Sequence, residues 1–215
     1  MSLADPYATD EVVARVRARL AATPPEDAFE PVLPHRGDHA LNPHLDATPV
    51  LKNLRRAAVL VPLVAHEAGV TVLLTQRASH LRDHSGQVAF PGGKIDAGET
   101  AVDAALREAE EEIGLARRHI EPLAYLDPYQ TGTGFRILPV VALVRPPFDL
   151  TINKTEVDDA FETPLSFLMD VSNHQRHARE WQGTLRHFYA MPYGERYIWG
   201  ATAGMLRNLY ERLYS

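Results

Sequence analysis

Arg107-Glu108-Ala109-Glu110-Glu111-Glu112-Ile113-Gly114-Leu115 is the stretch on which the reading of this chain turns. It closes a run from Thr100 to Ile113 whose apolar residues recur at helical spacing. The run stops at Gly114, a residue suited to a left-handed helix end. At ~100° per residue, Val102, Leu106, Ala109 and Ile113 share one narrow arc, the stripe expected to face a core. Glu108, Glu111 and Glu112 fall on a separate arc, at i, i+3 and i+4. Ala101, Ala104 and Ala105 lie on that side one or two turns earlier, and their small size is read as leaving room for something to approach.

Three carboxylates on one arc are costly. Like charges at these spacings are unfavourable by ~0.2–0.5 kcal/mol per pair. They also sit in the last turns, where the macrodipole disfavours anions by ~0.3–1 kcal/mol each. Helix stability alone would place lysines there. A divalent cation removes both objections, and hard cations such as Mg²⁺ or Mn²⁺ prefer carboxylate oxygen. Phe90-Pro91-Gly92-Gly93 feeds this helix, and paired glycines let backbone approach a ligand closely. Thr100 and Asp103 form a weaker version of the capping box.

Working outward, Ala57 to Ala65 and Val70 to Gln76 read as strands joined through His66-Glu67-Ala68-Gly69. A glycine-punctuated loop spans Ala78 to Gly98. Further strands are expected over Ile120 to Asp127, Arg136 to Val144 and Leu185 to Met191. A short helix is expected over Pro164 to Met169 and a terminal one over Trp199 to Tyr214. Residues 9 to 22 read as a helix with Val12, Val13, Val16 and Leu20 on one side. Thr23 to Pro49 holds six prolines and reads as an extended arm. The expected division is residues 1–50 as a helical and extended arm and 51–215 as the main domain, an α/β or α+β sandwich.

Composition excludes several classes. The chain has 215 residues, enough for one domain with extensions at roughly 100–200 residues per domain. It has no cysteine, which removes disulfides, thiolate metal sites and cysteine nucleophiles. Lys plus Arg is 22 and Asp plus Glu is 28, a net charge of −6 that gives no overall drive toward nucleic acid or anionic membrane. The first residues lack a secretory pattern, and the longest apolar run, Ala57 to Ala65, is far short of the ~20 residues of a membrane span. A cytoplasmic setting is the expectation. Residues 93 to 115 hold seven acids and two bases, a net of −5, so the remaining chain carries only −1.

Read together, Gly93, Glu99, Arg107, Glu108, Glu111, Glu112, Gly114 and Leu115 stand in the register of the Nudix hydrolase signature, which this chain closely resembles. Ala109 is a small occupant of one aliphatic slot. Leu73-Leu74-Thr75-Gln76-Arg77-Ala78, Arg82, Gly86 and Phe90-Pro91-Gly92-Gly93 are similar to the motif of the coenzyme A pyrophosphatase branch. Phe161 to Leu165 and Tyr197 to Ala203 are similar to it less specifically. The resemblance runs from about Leu51 to the C-terminus and implies an α/β/α sandwich with a mixed sheet.

The resemblance implies metal-dependent cleavage of the diphosphate of coenzyme A to 3′-phosphoadenosine 5′-phosphate and 4′-phosphopantetheine. Mg²⁺ or Mn²⁺ would be the cofactor, held by Glu108, Glu111 and Glu112 with the Gly92 carbonyl. Arg107 would orient the carboxylates, with Glu99 as its partner. The general base stays open between a signature glutamate and Glu156 downstream. Arg77 and Arg82 are the candidates for gripping phosphate, because guanidinium recognises it bidentately, and Gly92 and Gly93 would line the substrate. His174 and His177 are spaced like ligands but lack a third. Trp181 and Trp199 are read as packing residues rather than adenine stackers, with Phe135 or Tyr129 as pocket-lining candidates. Two other readings stay in view: a Nudix pyrophosphatase for ADP-ribose or another nucleoside diphosphate derivative, and a non-hydrolytic nucleotide-sensing module. The expected partner is a small nucleotide-like molecule rather than nucleic acid or membrane, and a homodimer is left open.

Overall fold

A computed structural model describes residues 5–81, 84–181 and 183–215. In chain order the elements are α1 (Thr9–Arg19), β1 (Arg36–Gly37), α2 (Asp38–Leu41), α3 (Thr48–Lys52), β2 (Arg55–His66), β3 (Gly69–Arg77), β4 (Val88–Ala89), β5 (Gly92–Lys94) and α4 (Ala101–Ile113). Then come β6 (Ile120–Tyr125), β7 (Tyr129–Gln130), β8 (Phe135–Val144), β9 (Val157–Pro164), α5 (Leu165–Met169), β10 (Gln175–Trp181), β11 (Thr184–Tyr193), β12 (Arg196–Trp199) and α6 (Ala201–Leu213). The architecture is α/β with a mixed sheet, as expected.

The sheet is ordered β1-β7-β8-β2-β3-β4, with β5, β6 and β9 added at β2, β8 and β3. Its spine is β2 lying parallel to β8 over ten paired residues, Arg55↔Phe135 to Val64↔Val144. Both strands are apolar along nearly their whole length, as strands covered on both faces must be. Alternate residues serve opposite layers. Val59, Val61 and Leu63 pack with α1, α5 and α6, while Ala58, Leu60 and Val64 pack with α4. Helices on both sides of the sheet give the α/β/α sandwich.

The arm is built onto this sandwich. Val12, Val16 and Leu20 of α1 are buried in the α6-side core. Backbone bonds from Val70 to Tyr7 (3.1 Å) and from Tyr125 to Ala21 (2.9 Å) fix both ends of that segment. Downstream, β1 pairs in parallel with β7. Asp38 then accepts the Tyr129 hydroxyl at 2.8 Å and the Gly132 N–H at 2.7 Å. Tyr129, expected as a pocket-lining ring, is therefore a core residue, packed so closely on α6 that a side chain at Gly204 would strike it.

Arg136 is the other clasp. It is 1% exposed near the start of β8, against the arm. Its guanidinium donates to Gln130 Oε1 (3.0 Å), the Ala28 carbonyl (3.2 Å) and the Val32 carbonyl (2.6 Å). The arm's backbone thus satisfies the buried cation and the cation satisfies the arm.

Seven strands escaped the sequence reading: β1, β4, β5 and β7, which at two or three residues give no periodicity, and three longer ones. β9 alternates poorly because it is an antiparallel partner of β3 near the sheet edge. β10 is polar and exposed along most of its length, and β12 is only four residues long. With β11 they make a separate antiparallel sheet. Trp181, read as a packing residue, is 52% exposed at the end of β10, a correction that follows from that strand having solvent on one side. Arg196 ties this small sheet to the large one: it donates to Gln76 and Asp159 and lies 4.5 Å over the Phe161 ring.

Replacing Arg136 by Met strands the Ala28 and Val32 carbonyls without a donor. The variant is expected to lose about 2–4 kcal/mol of stability, measured as a lower urea midpoint, and a wild-type midpoint would show that the arm does not depend on this clasp.

Candidate active site

α4 begins at Thr100. The Thr100 hydroxyl accepts from the Asp103 N–H at 3.1 Å, and the Asp103 carboxylate accepts from the Thr100 N–H at 3.4 Å, completing the expected box. The helix ends at Gly114 with φ of 69°. A side chain there would be strained by that angle and would also meet Thr151, 2.8 Å away.

The last turn leaves carbonyls without intrahelical donors. The following loop supplies two: Thr151 N–H bonds the Ile113 carbonyl at 2.8 Å and Asn153 N–H bonds the Glu112 carbonyl at 2.9 Å. These bonds fix the loop that carries Glu156. Asn153 also accepts the Glu156 N–H at 3.0 Å and turns the chain by accepting the Thr155 N–H and hydroxyl.

Glu108, Glu112 and Glu156 consequently converge, each offering a carboxylate oxygen within 4.8 Å of the others. Glu112 is 3% exposed. Burial pushes its carboxyl up to about 8. The Gly92 N–H, 3.2 Å away, opposes that rise, and the Glu108 charge adds to it. Burial likewise raises Glu108, against the pull of Arg107. Three acids share a space in which no cationic side chain among the described residues bonds Glu112. Hard oxygen donors, closely spaced and short of positive charge, fit a divalent cation.

The neighbouring glycines make the space. A β-carbon on Gly93 would sit 2.4 Å from Glu108 Oε1, and one on Gly92 2.5 Å from the Ala58 carbonyl. Ala101, Ala104 and Ala105 do not leave an open approach as expected. They are buried in the α4-side core, where their size lets the helix close onto the sheet. Glu108 and Glu112 continue the same arc into the gap beneath β5.

Arg107 organises the outer side. Its Nε and Nη2 grip Glu99 at 2.7 and 3.0 Å, Nη1 donates to Glu108 at 2.9 Å and Glu111 at 3.1 Å, and Nη2 reaches the Lys94 carbonyl at 3.1 Å. The Arg107 hydrogen bond holds Glu99 down at about 2, while Glu99 and Glu108 raise Arg107 above its ordinary value. What Glu99 contributes to stability is present above the ordinary carboxylate range and lost as pH falls toward 2. Glu111 stands at the rim, 55% exposed, and meets Arg107 rather than the inner cluster.

Gly92 turns its amide to Glu112. Arg77 closes β3 opposite Val157. Its charge lowers the Glu112 carboxyl, and its buried Nε has no hydrogen-bond partner among the described residues. Arg82 lies outside the described residues. The sequence reading missed Thr151 and Asn153 as the clasp on the helix end. The signal was Asn153-Lys154-Thr155, whose asparagine is suited to a side-chain turn.

A family model described as the NUDIX domain matches residues 54–182. The chain belongs to the Nudix hydrolase family. The Nudix hydrolase NudL of Enterobacter sp. (strain 638), itself uncharacterised, is 40% identical over 158 residues, covering 73% of this chain and 82% of that one. NudL of Shigella flexneri serotype 5b is 37% identical over 171 residues, covering 79% and 87%. Among solved structures, DR0079 from Deinococcus radiodurans is 16% identical with a TM-score of 0.48, covering 75% of this chain and 83% of that one. Nudix hydrolases generally use divalent metals such as Mg²⁺ or Mn²⁺ and act on small nucleotide substrates. No helix among the described residues is long and apolar enough to cross a membrane.

The raised Glu112 carboxyl makes a signed prediction for the metal-free Nudix domain. A group raised on folding contributes stability below its unfolded value of 4.5, and that contribution is lost as pH rises through about 8. Glu112→Gln should therefore melt higher than wild type at pH 8 in chelator, by roughly 2–4 °C per kcal/mol relieved, and the two should converge at pH 5. A variant that melts lower at pH 8 would refute the burial argument. Gly93→Ala should displace the Glu108 carboxylate and reduce the rise in melting temperature produced by Mg²⁺, at unchanged metal-free stability.

Proposed function

We propose that the protein is a coenzyme A diphosphatase that works with Mg²⁺ or Mn²⁺. The observation that carries the reading is the convergence of Glu108, Glu112 and Glu156 beside the unpartnered Nε of Arg77. It is supported by the sequence elements Leu73 to Ala78 and Phe90 to Gly93, which resemble the motif of the coenzyme A branch, while the similarity to NudL supports the Nudix hydrolase class alone.

Glu108 and Glu112 are the inner metal ligands in this proposal, with Glu111 and the Gly92 carbonyl completing the set from the rim. A divalent cation held there would neutralise diphosphate oxygens and acidify a water molecule. Glu156 reaches the cluster from the opposite side, on its own loop, and takes the proton of the attacking water. Arg107 positions Glu108 and Glu111 and does not touch substrate. Arg77, whose charge already acts on Glu112, is the proposed partner of a diphosphate oxygen, and Arg82 is its proposed companion for the 3′-phosphate of coenzyme A.

A panel of coenzyme A, dephospho-coenzyme A and ADP-ribose tests the substrate. Coenzyme A should be cleaved to 3′-phosphoadenosine 5′-phosphate and 4′-phosphopantetheine. Loss of the 3′-phosphate should lower kcat/KM by about tenfold, the value of one charge-assisted bond. Equal values on all three would overturn the assignment. Glu156→Gln should lose turnover yet keep the Mg²⁺-induced rise in melting temperature, whereas loss of both would make Glu156 a ligand rather than the base.

A further inference from the structure

The small sheet of β10, β11 and β12 has two unlike faces. Pairing Gln175↔Ala190 through Trp181↔Thr184, and Ala190↔Trp199 through Tyr193↔Arg196, fixes which side chains share each face. Tyr189, Met191, Tyr193 and Ile198 turn toward the α6-side core. The opposite face carries His177, Arg179, Trp181, Arg186, Phe188, Tyr197 and Trp199, and its strand positions include no acid.

Phe188, Tyr197 and Trp199 belong to neither core. They pack on one another instead, with Phe188 and Trp199 edge-on at 5.0 Å, Tyr197 and Trp199 at 6.3 Å, and His177 and Tyr197 at 6.0 Å. Tyr197 is 41% exposed. Together with Arg179 and Ala178 these rings line a groove of about 500 Å³, within the size of small-molecule sites.

Charge adds an independent argument. Arg179 and Arg186 are directly opposed across the strands, an arrangement that costs stability. Neither forms an ion pair among the described residues. The buried Nε of Arg186 has no hydrogen-bond partner there either. Arg186 Nη1 and Asp38 Oδ2 both stand beside Gly132, 3.3 and 3.4 Å from where a β-carbon on it would lie, yet form no ion pair, the Asp38 carboxylate being bonded to Tyr129 and Gly132. Arg179 lines the groove with Arg186 paired opposite it, so an anion held at Arg179 would relieve the pair.

We propose that this face binds a nucleoside monophosphate, its base stacked on the Tyr197–Trp199 cluster and its phosphate on Arg179 and Arg186. A polynucleotide is disfavoured because tracking a strand needs a run of cations, and here two arginines stand on a chain of net charge −6. A second copy of the same face would set arginine against arginine. The inference is independent of the reaction proposed above.

The two tryptophans of the chain, Trp181 and Trp199, both lie on this face, so indole fluorescence reports on it alone. Adenosine monophosphate is titrated into the full chain in chelator, with excitation at the red edge of the indole band where purine does not absorb. Saturable quenching is expected, weakened by about tenfold in Arg179→Ala, lost in Tyr197→Ser, and unchanged in Glu112→Gln. Adenosine, which lacks the phosphate, should bind about tenfold more weakly. Absence of quenching overturns the proposal, as does equal binding of adenosine. Loss of quenching in Glu112→Gln would place the nucleotide at the carboxylate cluster. Per-nucleotide binding of a short oligonucleotide tighter than the monophosphate would make the face a strand-binding surface. A Tyr197-dependent dimer in sedimentation would make it a self-interface.

Discussion

Glu112 is an acid held between a helix and a sheet with no cationic side chain among the described residues bonded to it, and the surrounding structure is arranged to keep it there. Its burial follows from the helical arc it shares with Ala101, Ala104 and Ala105. Those alanines pull α4 against the sheet, and any side chain continuing the arc must enter the same gap. The gap exists because Gly93 of β5 has no side chain where the Glu108 carboxylate stands, while Gly92 lets β5 lie close on β2. Arg107 could have neutralised the acid but does not. Its donors are committed to Glu99, Glu108, Glu111 and the Lys94 carbonyl. The guanidinium thus balances the outer carboxylates and leaves Glu112 to its buried surroundings, which raise its carboxyl.

The same region shows how a helix tolerates acid at its negative end. The penalty attributed to the macrodipole comes from unpaired carbonyls. Here Thr151 and Asn153 donate to two of them. That clasp has a second consequence, since the loop it fixes presents Glu156 to Glu108 and Glu112 from the far side. Helix termination and assembly of the carboxylate cluster are therefore one set of hydrogen bonds.

Much of this could be read from the sequence because the deciding residues are close together in it. Thr100, Asp103, Arg107, the glutamates and Gly114 belong to one helix, whose period places them. The buried strands Arg55–His66 and Phe135–Val144 announced themselves by apolar runs. Long-range partners were not legible. Nothing in Arg136 shows that it will hold Ala28 and Val32 more than a hundred residues upstream, and the prolines of the arm gave no periodicity from which to read β1. β10 escaped for a different reason: a strand exposed on much of its surface lacks the apolar alternation by which strands are recognised. Trp181 was misjudged with it, because packing was assumed where one face stayed open, whereas Trp199 does pack, on Phe188 and Tyr197.

The net charge of −6 also takes on a different meaning once it is placed on the fold. Residues 93 to 115 hold −5 of it, while residues 175 to 199 hold four arginines against two glutamates, a net of +2. Opposite signs are thus concentrated on separate, rigid elements rather than mixed over the surface. Interspersed charges would favour solubility with little selectivity. Segregated ones create fields that differ from place to place. On the proposals made above, the helix end would repel a phosphate unless a metal ion were present, and the small sheet would attract one without help. An anionic nucleotide therefore meets one region of the molecule where its binding depends on a cation and another where it does not, and that difference lets the two be measured separately in the same chain.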